Sequence, residues 1–169
     1  VEGNVFKDQR YGGINLATLS RPLVRNNTFT GITGYGYTGI SLGSCQNGGE
    51  IASNKISDAN DGAGIILASV NGSPASPFLV ANNFVELGGS NDNVYGIALY
   101  DVQYIDVFYN TVHQTNTSQT SAAFFSNGGN NKVVQNNIFA NTGGGYVFTA
   151  GNYYYYYSLG ISAADYNNL

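Results

Sequence analysis

One short pattern recurs along the chain: an apolar residue, two variable positions, Asn, one variable position and a second apolar residue. It reads Val1…Asn4…Phe6, Val24…Asn27…Phe29, Ile51…Asn54…Ile56, Val80…Asn83…Val85, Val107…Asn110…Val112 and Val134…Asn137…Phe139, with a weaker copy at Ala164…Asn167…Leu169. The Asn-to-Asn steps are 23, 27, 29, 27, 27 and 30 residues. A unit of that size cannot bury an apolar face alone, so successive copies must stack on one another to make a core.

Between the Asn copies lies a second pattern, usually Gly followed by alternating apolar residues. It appears as Gly13-Ile14-Asn15-Leu16, Gly39-Ile40-Ser41-Leu42, Gly64-Ile65-Ile66-Leu67, Gly96-Ile97-Ala98-Leu99, Ala122-Ala123-Phe124-Phe125 and Gly145-Tyr146-Val147-Phe148. Period-two alternation over four or five residues marks short strands, and no stretch shows the 3.6-residue period of a helix. Laying each coil about 4.8 Å above the last, with parallel hydrogen bonds between equivalent strands, stacks equivalent residues. The alignment predicts one inward column of Ile14, Ile40, Ile65, Ile97, Ala123 and Tyr146, and another of Leu16, Leu42, Leu67, Leu99, Phe125 and Phe148.

The repeated Asn has a physical reason at a corner. It tolerates the left-handed backbone that a sharp bend requires, and its side-chain amide can bond the amide of the coil above. Asn4, Asn27, Asn54, Asn83, Asn110, Asn137 and Asn167 are therefore expected to form a structural ladder rather than a ligand site. These features predict an all-β fold, a right-handed parallel β-helix of about six turns of roughly 27 residues with an internal Asn ladder. The Val/Ile-x-x-Asn-x-Phe/Ile/Val motif resembles the parallel β-helix repeats of secreted bacterial proteins, in the pectate-lyase-like and NosD-like superfold, and the resemblance covers the whole chain. It implies a fold and leaves the activity open, since this superfold hosts lyases, hydrolases, epimerases, adhesins and phage spikes.

Composition narrows the partners. Only 9% of the 169 residues are charged and the net charge is −4. The six cations, Lys7, Arg10, Arg21, Arg25, Lys55 and Lys132, are scattered, so no basic footprint for nucleic acid exists. No stretch approaches the twenty apolar residues of a membrane span, and the single Cys45 can form no internal disulfide. Richness in Asn, Gly and Tyr fits an exported protein, extracellular or displayed on a cell surface.

The chain reads as one β-helix segment over 1–169. It begins at the first apolar position of the motif and closes at the last, from which we expect an excerpt of a longer solenoid. Further coils of the same protein or of a neighbouring chain are expected to continue both ends, because open strand edges invite pairing.

Polysaccharide lyases and hydrolases of this superfold work on the outer face of a strand with close carboxylates or a basic residue and Ca²⁺. The ten acids here fall with no two on adjacent coils at one strand position, which predicts no cleaving site, no metal and no cofactor in these coils. One polar pair has chemistry: Glu86 and His113 lie at equivalent positions on adjacent coils, where an exposed cross-strand pair is the expected role. Asp58-Ala-Asn-Asp61-Gly62 resembles part of a calcium loop but departs from its spacing, so a polar turn is expected. The stretches Ser69–Pro77 and Glu86–Val94 read as flank loops suited to binding. The outward positions Ile66, Ala98, Phe124 and Val147 form an apolar stripe expected to be covered by a loop or a partner. Tyr153–Tyr157 offers rings that can pack inward or stack on sugars. The sequence thus points to a surface scaffold or adhesin segment with a glycan-binding face. The alternatives are a fragment of a carbohydrate-active enzyme and a subunit of an end-to-end filament.

Overall fold

A computed structural model describes residues 1–34, 36–150 and 160–169. Among them every regular element is a strand, and the strands stack into three parallel sheets. The first sheet holds Leu23–Arg25, Gly49–Ala52, Phe78–Ala81, Gln103–Phe108, Asn130–Gln135 and Ile161–Asp165. The second holds Val5–Lys7, Thr28–Thr30, Lys55–Asn60, Phe84–Gly88, Thr111–Gln114 and Ile138–Asn141, with Ile32–Thr33 also paired to its third strand. The third holds Ile14–Ala17, Thr38–Gly43, Ala63–Ala68, Tyr95–Tyr100, Ala122–Asn127 and Tyr146–Ala150. The chain visits them in the constant order second, third, first, so each coil is a triangle whose sides pair with the coils above and below.

The repeated motif straddles a corner. Val24 lies in the first sheet, Phe29 in the second, and Asn27 sits in the turn between them. At that turn the residue before each ladder Asn is left-handed: Gly3, Asn26, Ser53, Asn82, Tyr109, Asn136 and Tyr166 have φ between 55° and 68°. The ladder Asn residues themselves do not. The expectation that they take the left-handed bend is thus corrected by one position, and their role is hydrogen bonding alone.

The ladder is continuous. The side-chain amide of each Asn donates to the next Oδ1, at 3.1 Å from Asn4 to Asn27, 3.0 Å from Asn27 to Asn54, 3.0 Å from Asn54 to Asn83, 2.9 Å from Asn83 to Asn110, 3.0 Å from Asn110 to Asn137 and 2.9 Å from Asn137 to Asn167. The same oxygens accept from the backbone amide of the residue below, as Asn83 Oδ1 does from Asn54 N at 3.0 Å. In the interior five the side chains are buried with every polar atom paired, which is what a dry interior demands.

Register corrects the third sheet. Ile14, Ile40, Ile65 and Ile97 stack as expected, but Ile97 then pairs with Phe124, and Phe124 with Phe148. Ala123 therefore falls in the column of Gly39, Gly64 and Gly96, and Ser126 in the column of Leu42, Leu67 and Leu99. The run Ala122-Ala123-Phe124-Phe125 has no alternation of its own. Its register is set by packing: Phe124 inside stacks on Phe139 and Phe148 at 5.2 and 4.7 Å between ring centres.

Candidate functional site

The outer face of the second sheet carries the groove with the most varied chemistry. Its two outward columns are Val5, Thr28, Lys55, Phe84, Thr111 and Ile138, and beside it Lys7, Thr30, Glu86, His113 and Ala140. A β-bulge breaks the second column: Val85 pairs with Ile56 and Leu87 with Ala59, so Glu86 faces both Ser57 and Asp58. Asp58 accommodates the extra residue with φ 56°. The expectation that no two acids meet on adjacent coils is overturned here, because repeat spacing cannot reveal an inserted residue. The groove has a volume of about 400 Å³ and is lined by Lys55, Asp58, Asn60, Phe84, Glu86 and Thr115 among others. The Lys55 ammonium stands 5.9 Å from the centre of the Phe84 ring, which is 38% exposed.

Glu86 and His113 are paired in register, with Oε1 4.0 Å from Nδ1. The other imidazole nitrogen is 3.2 Å from Thr142 Oγ1, so the ring is held between two coils. Both side chains are well exposed, and such a pair stabilises the fold by about 1 kcal/mol at most. Its chemical interest is that a carboxylate, a second carboxylate and an imidazole stand in consecutive coils along one row.

The turn holding Asp61 is built differently. Asp61 Oδ1 accepts the backbone amides of Ser90 and Asn91 at 2.6 and 2.8 Å, tying down the excursion that follows Gly88. Asp92 accepts the Ser118 hydroxyl at 2.5 Å. Both carboxylates thus serve turn structure, and among the described residues no three of His, Cys, Asp and Glu gather as a metal ion would require.

The proposed apolar stripe is partly redrawn. Ile66 and Ala98 do point outward, and Ala98 pairs with Phe125, making Phe125 the outward residue of the next coil. Phe124 is buried in the core, and Val147 packs against the core, so neither belongs to the outer face. Phe125 is flanked by Tyr95 and Tyr100, with ring centres 4.4 and 5.3 Å away, and these rings, with Ile66, leave Ala98 fully buried. The stripe is covered chiefly by its own aromatic neighbours. Tyr153–Tyr157 lies outside the described residues.

Sequence reasoning missed Lys132. It points into the interior in the column of Phe78 and Ile105. Burial lowers its pKa to about 8, with the Asp101 carboxylate pulling the other way. Its ammonium donates to Gly128 O at 2.5 Å. The alignment held the signal: where the neighbouring coils place Phe78, Ile105 and Ile161, this one places Lys.

A family model described as a right-handed beta helix region matches residues 1–158. No curated protein and no solved structure matches the chain.

Proposed function

The chain belongs to the right-handed β-helix family, and from that premise we propose that it is an extracellular or cell-surface scaffold that binds glycans on the outer face of its second sheet. The groove between Lys55 and Thr115 carries this reading. It sets donors, acceptors and an exposed Phe84 ring side by side on a rigid surface, the mixture that hydroxyl-rich, flat-faced sugars require. Rigidity matters because a preformed site loses little entropy on binding. The test is a binding survey of soluble oligosaccharides by calorimetry. A ligand is expected, and Phe84→Ala should weaken it by about tenfold or more, the scale of one lost ring contact. Failure of every glycan to bind would remove the reading.

The row of Asp58, Glu86 and His113 favours a second reading, acid/base cleavage of a glycoside in the same groove. Asp58 and Glu86 line one groove on adjacent coils, which supplies the two carboxyl groups that such chemistry needs. Release of reducing ends from a polysaccharide, lost in Glu86→Gln, would establish it. Binding without turnover leaves the scaffold reading in place.

A further inference from the structure

The left-handed position before each ladder Asn suits Gly or Asn, yet Tyr fills it twice. Tyr109 and Tyr166 have φ 57° and 56°, an arrangement in which a bulky side chain is strained and Asn is not. Neither ring repays that strain by burial, since Tyr109 is 60% and Tyr166 85% exposed. Strain retained at a surface position without a packing reason is a mark of use. Both project from the ridge between the first and second sheets, with Asn136 between them in the same column. They are two coils apart, so their Cα atoms stand roughly 10 Å apart along the solenoid axis. Phe108 lies beside Tyr109, with ring centres 6.3 Å apart, and the groove-side residues Thr111 and Ile138 follow on the adjoining strands.

Resting on the glycan-binding reading above, we infer that this ridge is an aromatic platform for an uncharged chain of linked pyranose rings running parallel to the solenoid axis. Two rings in one column, about two strand spacings apart, suit alternate sugar units of an extended β-linked chain, whose apolar faces stack on the tyrosines. Asn136, exposed between them, offers an amide to the hydroxyls of the intervening sugar. Charge selects the class. The chain carries −4, Asp165 adjoins Tyr166, and Asp58 and Glu86 line the groove, so a polymer of uronic acids is repelled.

The experiment titrates the full 169-residue chain at low salt with cellohexaose, mannohexaose and hexagalacturonate. It compares the native protein with Tyr109→Asn, Tyr166→Asn and their combination. Asn is already the residue of coils at Asn26, Asn82 and Asn136, so these variants should fold with an unchanged or higher Tm. The expected result is binding of at least one neutral hexasaccharide, weakened about tenfold by each substitution, while hexagalacturonate binds weakly or not at all. Unchanged affinity in the double variant, with Phe84→Ala still damaging, would overturn the platform and leave the groove reading standing. Tighter binding of hexagalacturonate would overturn the neutral class. No binding of any sugar by the native chain would overturn both.

Discussion

At the corner between the first and second sheets two adjacent residues divide the work, one bending the backbone and the next bonding across coils. Asn83 accepts from Asn54 N and Nδ2 and donates to Asn110 Oδ1, so Asn83→Leu leaves several buried groups unpaired. We expect a loss of about 2–4 kcal/mol in chemical denaturation, since each orphaned group costs about 1–3 kcal/mol. Asn82→Ala keeps the ladder and should cost only about 1 kcal/mol, from left-handed strain. Equal losses in the two variants would refute this division. Lys132 yields a different prediction. Its folded pKa of about 8 lies below its ordinary 10.5, so between those values the unfolded chain binds more protons and stability rises with pH. The rise should be a few kcal/mol at most, starting near pH 8 and opposed above about pH 10 by the buried Tyr37 and the half-buried Tyr95 and Tyr100, whose pKa values are raised by desolvation. Denaturation midpoints between pH 8 and about 10 should climb in the native protein and stay flat in Lys132→Met. A flat native profile would show that the ammonium is better solvated than its burial implies.

At the scale of the strand, the entry to the third sheet is governed by close approach. A Cβ at Gly64 would stand 2.5 Å from Val85 Cγ1 and 2.4 Å from Gly96 O, whereas one at Gly43 would meet only Ala17 Cβ at 3.9 Å. Gly64→Ala should therefore lose about 1–3 kcal/mol by overpacking, while Gly43→Ala should gain up to about 1 kcal/mol, both read from thermal melts. A gain in both would mean that the coils separate more easily than the packing suggests. The same column explains what was legible. Wherever Gly opened the strand, at Gly39, Gly64 and Gly96, the inward columns follow from the sequence directly. At Ala122–Phe125 four apolar residues in a row gave no alternation, and the reading slipped by one, placing Phe124 outside and Phe125 inside. The Asp58 bulge was equally hidden, because a period measured from Asn54 to Asn83 tolerates extra residues without saying where they sit. What brings Asp58 beside Glu86 is thus invisible to spacing and plain in the hydrogen-bond register.

Over the whole solenoid the interior is not uniform. Each coil touches only its neighbours, so stability is close to a sum of coil and interface terms rather than one shared core. In the middle coils the inward columns are aliphatic or aromatic: Ile65 and Ile97, Leu67 and Leu99, Ala59 and Leu87, Phe78 and Ile105. The next coil replaces three of these with Ser126, Gln114 and Lys132, all fully buried, and the Ser126 hydroxyl and Gln114 Oε1 have no hydrogen-bond partner. A polar group buried without a partner costs about 1–3 kcal/mol, so the interfaces of that coil should be the weak ones. Native-state hydrogen exchange reads such differences directly, because local opening reports the free energy of the unit that opens. Amides of Ile65, Leu67, Ile97, Leu99 and Val107 should exchange slowest. Those of Val112–Gln114, Phe124–Ser126 and Lys132–Val134 should exchange faster by about two orders of magnitude, the equivalent of roughly 3 kcal/mol. Lys132→Met should narrow the gap near neutral pH by removing the buried charge and leave the middle coils unchanged. Uniform protection from Ile40 to Phe139 would instead mean that the solenoid opens as one cooperative unit and that the polar coil is no weaker than its neighbours.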